Sequence, residues 1–527
     1  MTGAVPPDRL RGDGLPEGAP ELPSVDQIQA IGAGLGMSLS AEDAGSFREM
    51  MRAAFYSAGR VAELDEPTLP VKYPRDEGYR PGMSENPYNA WYWRCDVRGA
   101  QGGALEDMRI GLKDTFCLAG VPMSAGSHIV EGFVPDVDAT VVTRLLDAGA
   151  RIVGKNTTSS GVGAKDGDPF ATVRNPRKPS HAPGGSSTGC AAALVAGDIE
   201  GAMGADQGGS VRIPAAWSGC VGLKPTHGLV PYTGVLSNEI TMTHPGPMAN
   251  TVRNVARMMD AIAGPDPLDP RSRWIPPQDV DYASSIGVGV RDVRVGVVSE
   301  GFGQTPWVEV GLKGGETVVD EKVRAAVDRL AALGARVEEV SIPMHVDGVH
   351  IFNTMYNEGN AHMYRHHNIG TNHPGWYNGA LLERPGWRAN PDALKDSAKS
   401  MLLTAGWLET RYQGRHYARG QNVRRDLVAA YDEALNRFDV LVMPTVPFRA
   451  TPIPEGPVTP AESVAYAMQM INNTCQFGVS GHPAISVPCG VEDDLPVAIQ
   501  VVGRHLDDAM VLRVADGVEA SGDWLTL

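Results

Sequence analysis

The chain has 527 residues, 42% of them hydrophobic, and this length fits either roughly two to four structural units or one large α/β domain with insertions. Its formal net charge of −16 argues against a nucleic-acid partner, because phosphate binding needs clustered Lys and Arg; the short basic run 174–178 reads as solvated surface. No apolar run of about 18 residues is present, so no membrane span is expected.

Residues 1–22 are rich in Pro, Gly and charge and read as disordered, without the apolar centre of a signal peptide. With six scattered cysteines and no CxxC pair, this points to a reduced, cytoplasmic protein. A helical extension is expected over 23–85. Ser24 caps a first helix, and a second, over 41–64, carries Phe47, Met50, Met51, Ala54 and Phe55 at helical spacing. Pro67–Pro87 reads as a linker. From about residue 86 the pattern turns α/β. A short strand over 108–112 leads into Lys113, and a helix capped by Asp138 runs to Ala148 ahead of a strand at 151–153. The helix-then-strand unit recurs at 320–340 and 423–442. Further strands are expected at 293–298, 484–487 and 497–502. Strands alternating with helices argue for a central mixed sheet covered by helices on both faces. Residues 345–435 lack strand patterns and read as a helical insertion or cap. That divides the body into 86–344, the insertion, and 436–527.

The chemistry concentrates in two glycine-serine turns. Pro183-Gly184-Gly185-Ser186-Ser187-Thr188-Gly189-Cys190 is followed, 24 positions after Ser186, by Ser210 within Asp206-Gln207-Gly208-Gly209-Ser210-Val211-Arg212. Upstream, Lys113 lies among Ile110, Leu112 and Phe116. A serine hydroxyl is a weak nucleophile until a base takes its proton, and a lysine kept neutral by burial can be that base. Gly-Gly-Ser turns can aim successive N–H groups at one oxyanion. From residue types alone two readings stand: a lysine-activated serine, or two ordinary turns and a surface lysine. A phosphate loop fails, because no Gly-Lys-Ser/Thr closes either turn.

The motifs resemble those of the amidase signature family: a Gly-Gly-Ser-Ser turn at 184–187, a small-residue helix, Asp206 to Pro214, Gly219 to Thr226, and Gly481 to Pro488. The resemblance spans roughly 85–515. Ser84-Glu85-Asn86-Pro87 and the helical extension are similar to bacterial amidases that follow nitrile hydratases, in which the extension contributes to a dimer. The resemblance implies the amidase signature fold, Ser210 as nucleophile, and Ser186, behind a cis Gly185–Ser186 bond, relaying its proton to Lys113. It implies an oxyanion hole from the N–H groups of Gln207, Gly208, Gly209 and Ser210, with Ser187, Asp206 and Arg212 in support; Asp206 and Arg212 read as a structural ion pair. The expected substrate is a small-molecule amide, and a homodimer is expected, with no cofactor, no metal and no nucleic-acid or membrane partner.

Two departures stand out. Thr188 occupies a usual glycine position, and Cys190 a position usually small or acidic. The stretch 156–168 also lacks the family's acidic-aromatic pair, which leaves open whether the scissile bond belongs to an amide, carbamate, anilide, hydrazide or ester. Ser160 and Gly161, together with Tyr356 and Trp376 from the insertion, are candidate pocket residues. His362 and His366 have i,i+4 spacing, with His367 and His373 nearby, but no glutamate follows His362 as metallohydrolases require. Two further readings are the amidase-like component of a tRNA-dependent amidotransferase and a catalytically silent binding protein on the same fold.

Overall fold

A computed structural model describes residues 10–158, 170–236, 238–277, 279–303, 305–309, 311–365 and 374–527. The chain forms two compact units, Met1–Leu69 and Pro70–Leu527.

In the first unit, α1 (Val25–Gly34) opens on the expected Ser24 cap. Gln27 completes a capping box by accepting from the Ser24 N–H. α2 (Ala41–Ala62) begins at the cap of Ser40. Ahead of them Leu10 pairs with Pro16. The apolar stripe read along α2 does not form a core within its own unit: Phe47 is 47% and Met50 71% exposed. Only Ala44 and Gly59 of that helix are buried.

The second unit is built on one eleven-stranded sheet in the order β1-β3-β2-β4-β6-β5-β10-β11-β9-β7-β8. The strands are β1 (Trp91–Arg98), β2 (Arg109–Lys113), β3 (Arg151–Asn156), β4 (Gly201–Asp206), β5 (Val221–Lys224), β6 (His244–Ala249), β7 (Arg294–Val298), β8 (Arg336–Val340), β9 (Val440–Pro444), β10 (Ala484–Glu492) and β11 (Leu495–Gly503). Pairing is mixed. β2 runs parallel to β3 and β4, and β7 parallel to β8 and β9, while β10 pairs antiparallel with β5 and β11. Every residue of β4, β9 and β11 is buried, as expected of strands covered on both faces.

The helices of this unit are α3 (Thr140–Asp147), α4 (Thr188–Val195), α5 (Arg212–Ser218), α6 (Val252–Ile262), α7 (Thr305–Glu309), α8 (Thr317–Ala332), α9 (Met344–Arg365), α10 (Gly379–Leu382), α11 (Asp396–Tyr412), α12 (Arg415–Arg437), α13 (Pro460–Met468), α14 (Cys475–Ser480) and α15 (Asp508–Ala520). α3, α6, α15 and α8 pack side by side as one layer, and α4 and α5 pack together against other parts of the sheet. Among the described residues 345–435 contains α9 to α12 and no strand, as its composition suggests.

One expected cap is corrected. α3 starts after Ala139 without a side-chain cap. Asp138 instead accepts from the Ala119 N–H at 2.9 Å and forms an ion pair with Arg75. A buried carboxylate with a guanidinium in reach is better satisfied there than by a helix N-terminus.

Candidate active site

The parallel strands β2, β3 and β4 end at the same edge of the sheet. Lys113 is the last residue of β2, Thr158 lies two residues beyond β3, and the 207–210 turn leaves β4. Topology alone therefore gathers three distant segments, since loops at the carboxyl ends of parallel strands face one crevice. The loop before α4 brings Ser186 to that edge. The Lys113 ammonium nitrogen lies 2.8 Å from Ser186 Oγ and 3.1 Å from the Ala205 carbonyl. The Gly185–Ser186 peptide is cis, as the resemblance implies. Thr158 Oγ1 donates to the Ser186 carbonyl at 2.8 Å, and the Ser187 N–H donates to the Ser210 carbonyl at 3.2 Å, tying the two turns together.

Burial singles out two hydroxyls. Across 183–190 and 206–213 every residue is buried except Ser186 and Ser210. Both line a cavity of about 140 Å³ with Lys113, Gln207, Gly208 and Tyr356. A second cavity of about 240 Å³ shares Lys113, Ser186, Gln207 and Tyr356 with it and extends past Asn238, Tyr364 and Trp387 to Met401. Lys113 itself is only 4% exposed, and burial pulls its pKa down to about 8, against the pull of Cys190 and Asp206 in the other direction. A lysine in this state is partly neutral near neutral pH and can accept a proton.

The 206–212 turn is held by a fully buried ion pair. Arg212 donates through Nη2 to Asp206 Oδ1 at 2.8 Å and through Nε to Oδ2 at 3.0 Å. Burial alone would raise the Asp206 pKa; Arg212 and Lys224 outweigh it and hold the carboxyl below its ordinary range. Arg212 also donates to Gln500 Oε1 at 2.7 Å and to the Thr474 carbonyl at 2.8 Å. Asp206 Oδ1 takes the Gly209 N–H at 2.9 Å. That removes Gly209 from the expected oxyanion donors and leaves Gln207, Gly208 and Ser210. Gly209 has φ +128°, and a Cβ there would sit 2.3 Å from Thr474 Oγ1, so the turn requires glycine.

Several residues at the site were not found from sequence. Asn360 on α9 exchanges hydrogen bonds with the Gln207 amide at 3.2 and 3.4 Å and accepts the Glu239 N–H at 2.8 Å. Thr474 Oγ1 donates to the Gly208 carbonyl at 2.6 Å. Behind Lys113, Asp114 pairs with Lys155 at 2.9 Å, both fully buried. The one available signal was Lys155 itself, a charge inside an apolar strand.

The remaining expectations divide. Tyr356 lines both cavities, whereas Trp376 lines a separate cavity of about 70 Å³ beside Cys117 and Arg271 that contains none of the three triad candidates. Ser160, Gly161, His366, His367 and His373 lie outside the described residues. His362 is exposed on α9. Ser187 Oγ is buried with no hydrogen-bond partner among the described residues. Thr188 fits the glycine position because its hydroxyl donates to the Thr157 carbonyl at 3.1 Å. Cys190 is packed, with burial pushing its thiol up to about 12.

A family model described as Amidase matches residues 90–512. This chain belongs to the amidase family. It is 38% identical over 511 residues to an enantioselective amidase of Rhodococcus rhodochrous, a match covering 95% of this chain and 96% of the other. It is 34% identical over 446 residues to the amidase-family component of the glutamyl-tRNA(Gln) amidotransferase of Exiguobacterium sibiricum, covering 80% and 86%. Among solved structures it resembles 6-aminohexanoate cyclic dimer hydrolase complexed with substrate, with TM-score 0.67, 27% identity and coverage of 79% and 85%. The eleven-stranded mixed sheet is thus the amidase fold, and the chain is an amide-hydrolysing enzyme. No helix among the described residues is long and apolar enough to cross a membrane.

Proposed function

We propose that the enzyme cleaves small-molecule carboxylic amides through an acyl-enzyme on Ser210. The observation that carries this reading is the 2.8 Å contact between Ser186 Oγ and a buried Lys113 whose pKa lies near 8, in a cavity shared with Ser210. Ser210 Oγ attacks the carbonyl carbon. Its proton passes to Ser186 as the Ser186 proton passes to Lys113. The oxyanion is taken by the N–H groups of Gln207, Gly208 and Ser210. Collapse breaks the C–N bond, and the leaving nitrogen takes a proton from Lys113 through Ser186. Water then repeats the sequence on the ester, releasing the acid and restoring Ser210. Neither a metal nor a cofactor enters any step.

The 240 Å³ cavity, walled by Tyr356, Tyr364, Trp387 and Met401, fits an apolar or aromatic acyl or amine group. The amidotransferase reading is weaker. The enantioselective amidase is matched over 95% of this chain and the amidotransferase component over 80%. Rates on matched acetamide, benzamide, anilide, carbamate and ester substrates, without glutamine, tRNA or a partner, test the reading. Turnover of the simple amides, lost in Ser210→Ala, supports it; hydrolysis only of glutamine with a partner present refutes it. The same reading takes the protein as a cytoplasmic homodimer. The exposed Ile31, Leu35, Phe47 and Met50 support the dimer, and a monomeric mass in solution would contradict it.

A further inference from the structure

Away from the serine-lysine site, three side chains from separate elements converge. Asp432 comes from α12, His482 from the turn between α14 and β10, and His505 from the turn between β11 and α15. His482 Nε2 lies 3.1 Å and His505 Nδ1 3.9 Å from Asp432 Oδ1, and all three donor atoms fall within 4.8 Å of one another. Ligands in a tetrahedral zinc site stand about 3.3 Å apart, so small side-chain rotations bring these atoms onto one ion.

The far sides of both rings are held as well. Ser480 engages each imidazole: its carbonyl accepts from His505 Nε2 at 3.1 Å, and its hydroxyl lies 3.0 Å from His482 Nδ1. A proton on His505 Nε2 leaves Nδ1 bare and facing Asp432. The Ser480 hydroxyl can accept from His482 Nδ1, which frees Nε2 in the same way. One residue orienting two imidazoles through their non-ligating nitrogens is how metal sites fix ring and tautomer. The two rings stack with centroids 3.9 Å apart, so they are already preorganised on one side of the carboxylate. Asp432 and His505 are exposed and His482 is buried, which leaves outward positions for water.

The geometry points to a binding site for a borderline divalent transition metal, of the Zn²⁺ class, made by Asp432, His482 and His505. Two imidazoles and one carboxylate suit Zn²⁺ far better than Mg²⁺ or Ca²⁺. Binding displaces the proton that now bridges His482 Nε2 and Asp432, and that proton goes to solvent. The ion would fasten α12 to the loops on either side of the β10–β11 hairpin, a stabilising role outside the amide chemistry.

The test uses untagged full-length protein stripped with a chelator and titrated with Zn²⁺ against a chromophoric competitor. We expect one equivalent bound with a Kd in the micromolar range or tighter, weakened at least tenfold in both His505→Gln and Asp432→Asn. Because both positions are exposed, circular dichroism should show both variants folded. His362→Gln/His366→Gln should bind as wild type does. A hundredfold excess of Zn²⁺ over Kd should raise Tm by about 2 °C in wild type and not in His505→Gln. Absence of stoichiometric binding, or equal affinity in wild type, His505→Gln and Asp432→Asn, overturns the proposal.

Discussion

The proton acceptor can be tested through the pH dependence of kcat/KM. Burial lowers the Lys113 pKa from its ordinary 10.5 to about 8. The neutral fraction is then about 10% at pH 7 and about 1% at pH 6, against about 0.03% at pH 7 for an unshifted lysine. The base is the deprotonated form, so activity is full above the folded pKa and is lost as pH falls through it. We expect kcat/KM for a neutral amide to rise with unit slope from pH 6 and level off near pH 8 to 9. Lys113→Arg keeps a cation that cannot deprotonate, and should lose about 10²- to 10⁴-fold at every pH. The other buried lysine, Lys224, has its pKa lowered to about 7 by burial and by Arg212, and its ammonium donates to the Pro225 carbonyl. Lys224→Met, checked for folding by circular dichroism, should therefore keep the limb near pH 8. A rate that is flat from pH 9 to pH 6, or a limb that disappears in Lys224→Met while Lys113→Arg stays active, would refute the role given to Lys113.

Three further outcomes concern the frame around the site. Arg212→Met leaves the fully buried Asp206 carboxylate without its partner and should cost about 3–5 kcal/mol in denaturant unfolding; a loss under about 1 kcal/mol would show that the ion pair does not hold the turn. Gly189→Ala puts a Cβ 2.3 Å from the Ala90 carbonyl and 2.6 Å from the Thr157 amide, and should destabilise by about 1–3 kcal/mol, read as a lower denaturation midpoint. All six cysteines are free and buried, so an aromatic disulfide reagent should titrate six thiols only after unfolding; rapid labelling of the native protein would contradict their packing.

Much of this was legible in the sequence because its signals are local. Strands such as 440–442 and 497–502 are continuous apolar runs, and the structure buries all of them. The two serines were legible because glycine pairs mark turns that no other residue can make, as Gly209 illustrates. What escaped depends on long-range placement. Asn360 is one polar residue in a polar helix, and only the packing of α9 against the 207 turn gives it a role. Trp376 lies in the region expected to line the pocket but lines a neighbouring cavity, because composition cannot tell which wall of a helical cap faces the serines. Asp138 looked like a helix cap by position, but Arg75, 63 residues away, claims it.

Ser210 as the attacking atom is the centre of the proposed mechanism, and covalent trapping tests it most directly. The wild-type enzyme, treated with a fluorophosphonate, digested and read by mass spectrometry, should carry one adduct on Ser210. The label should disappear in Ser210→Ala and form at least about a hundredfold more slowly in Lys113→Ala. An adduct on Ser186 or another residue in the wild type, or undiminished amide turnover by purified Ser210→Ala, would contradict that mechanism.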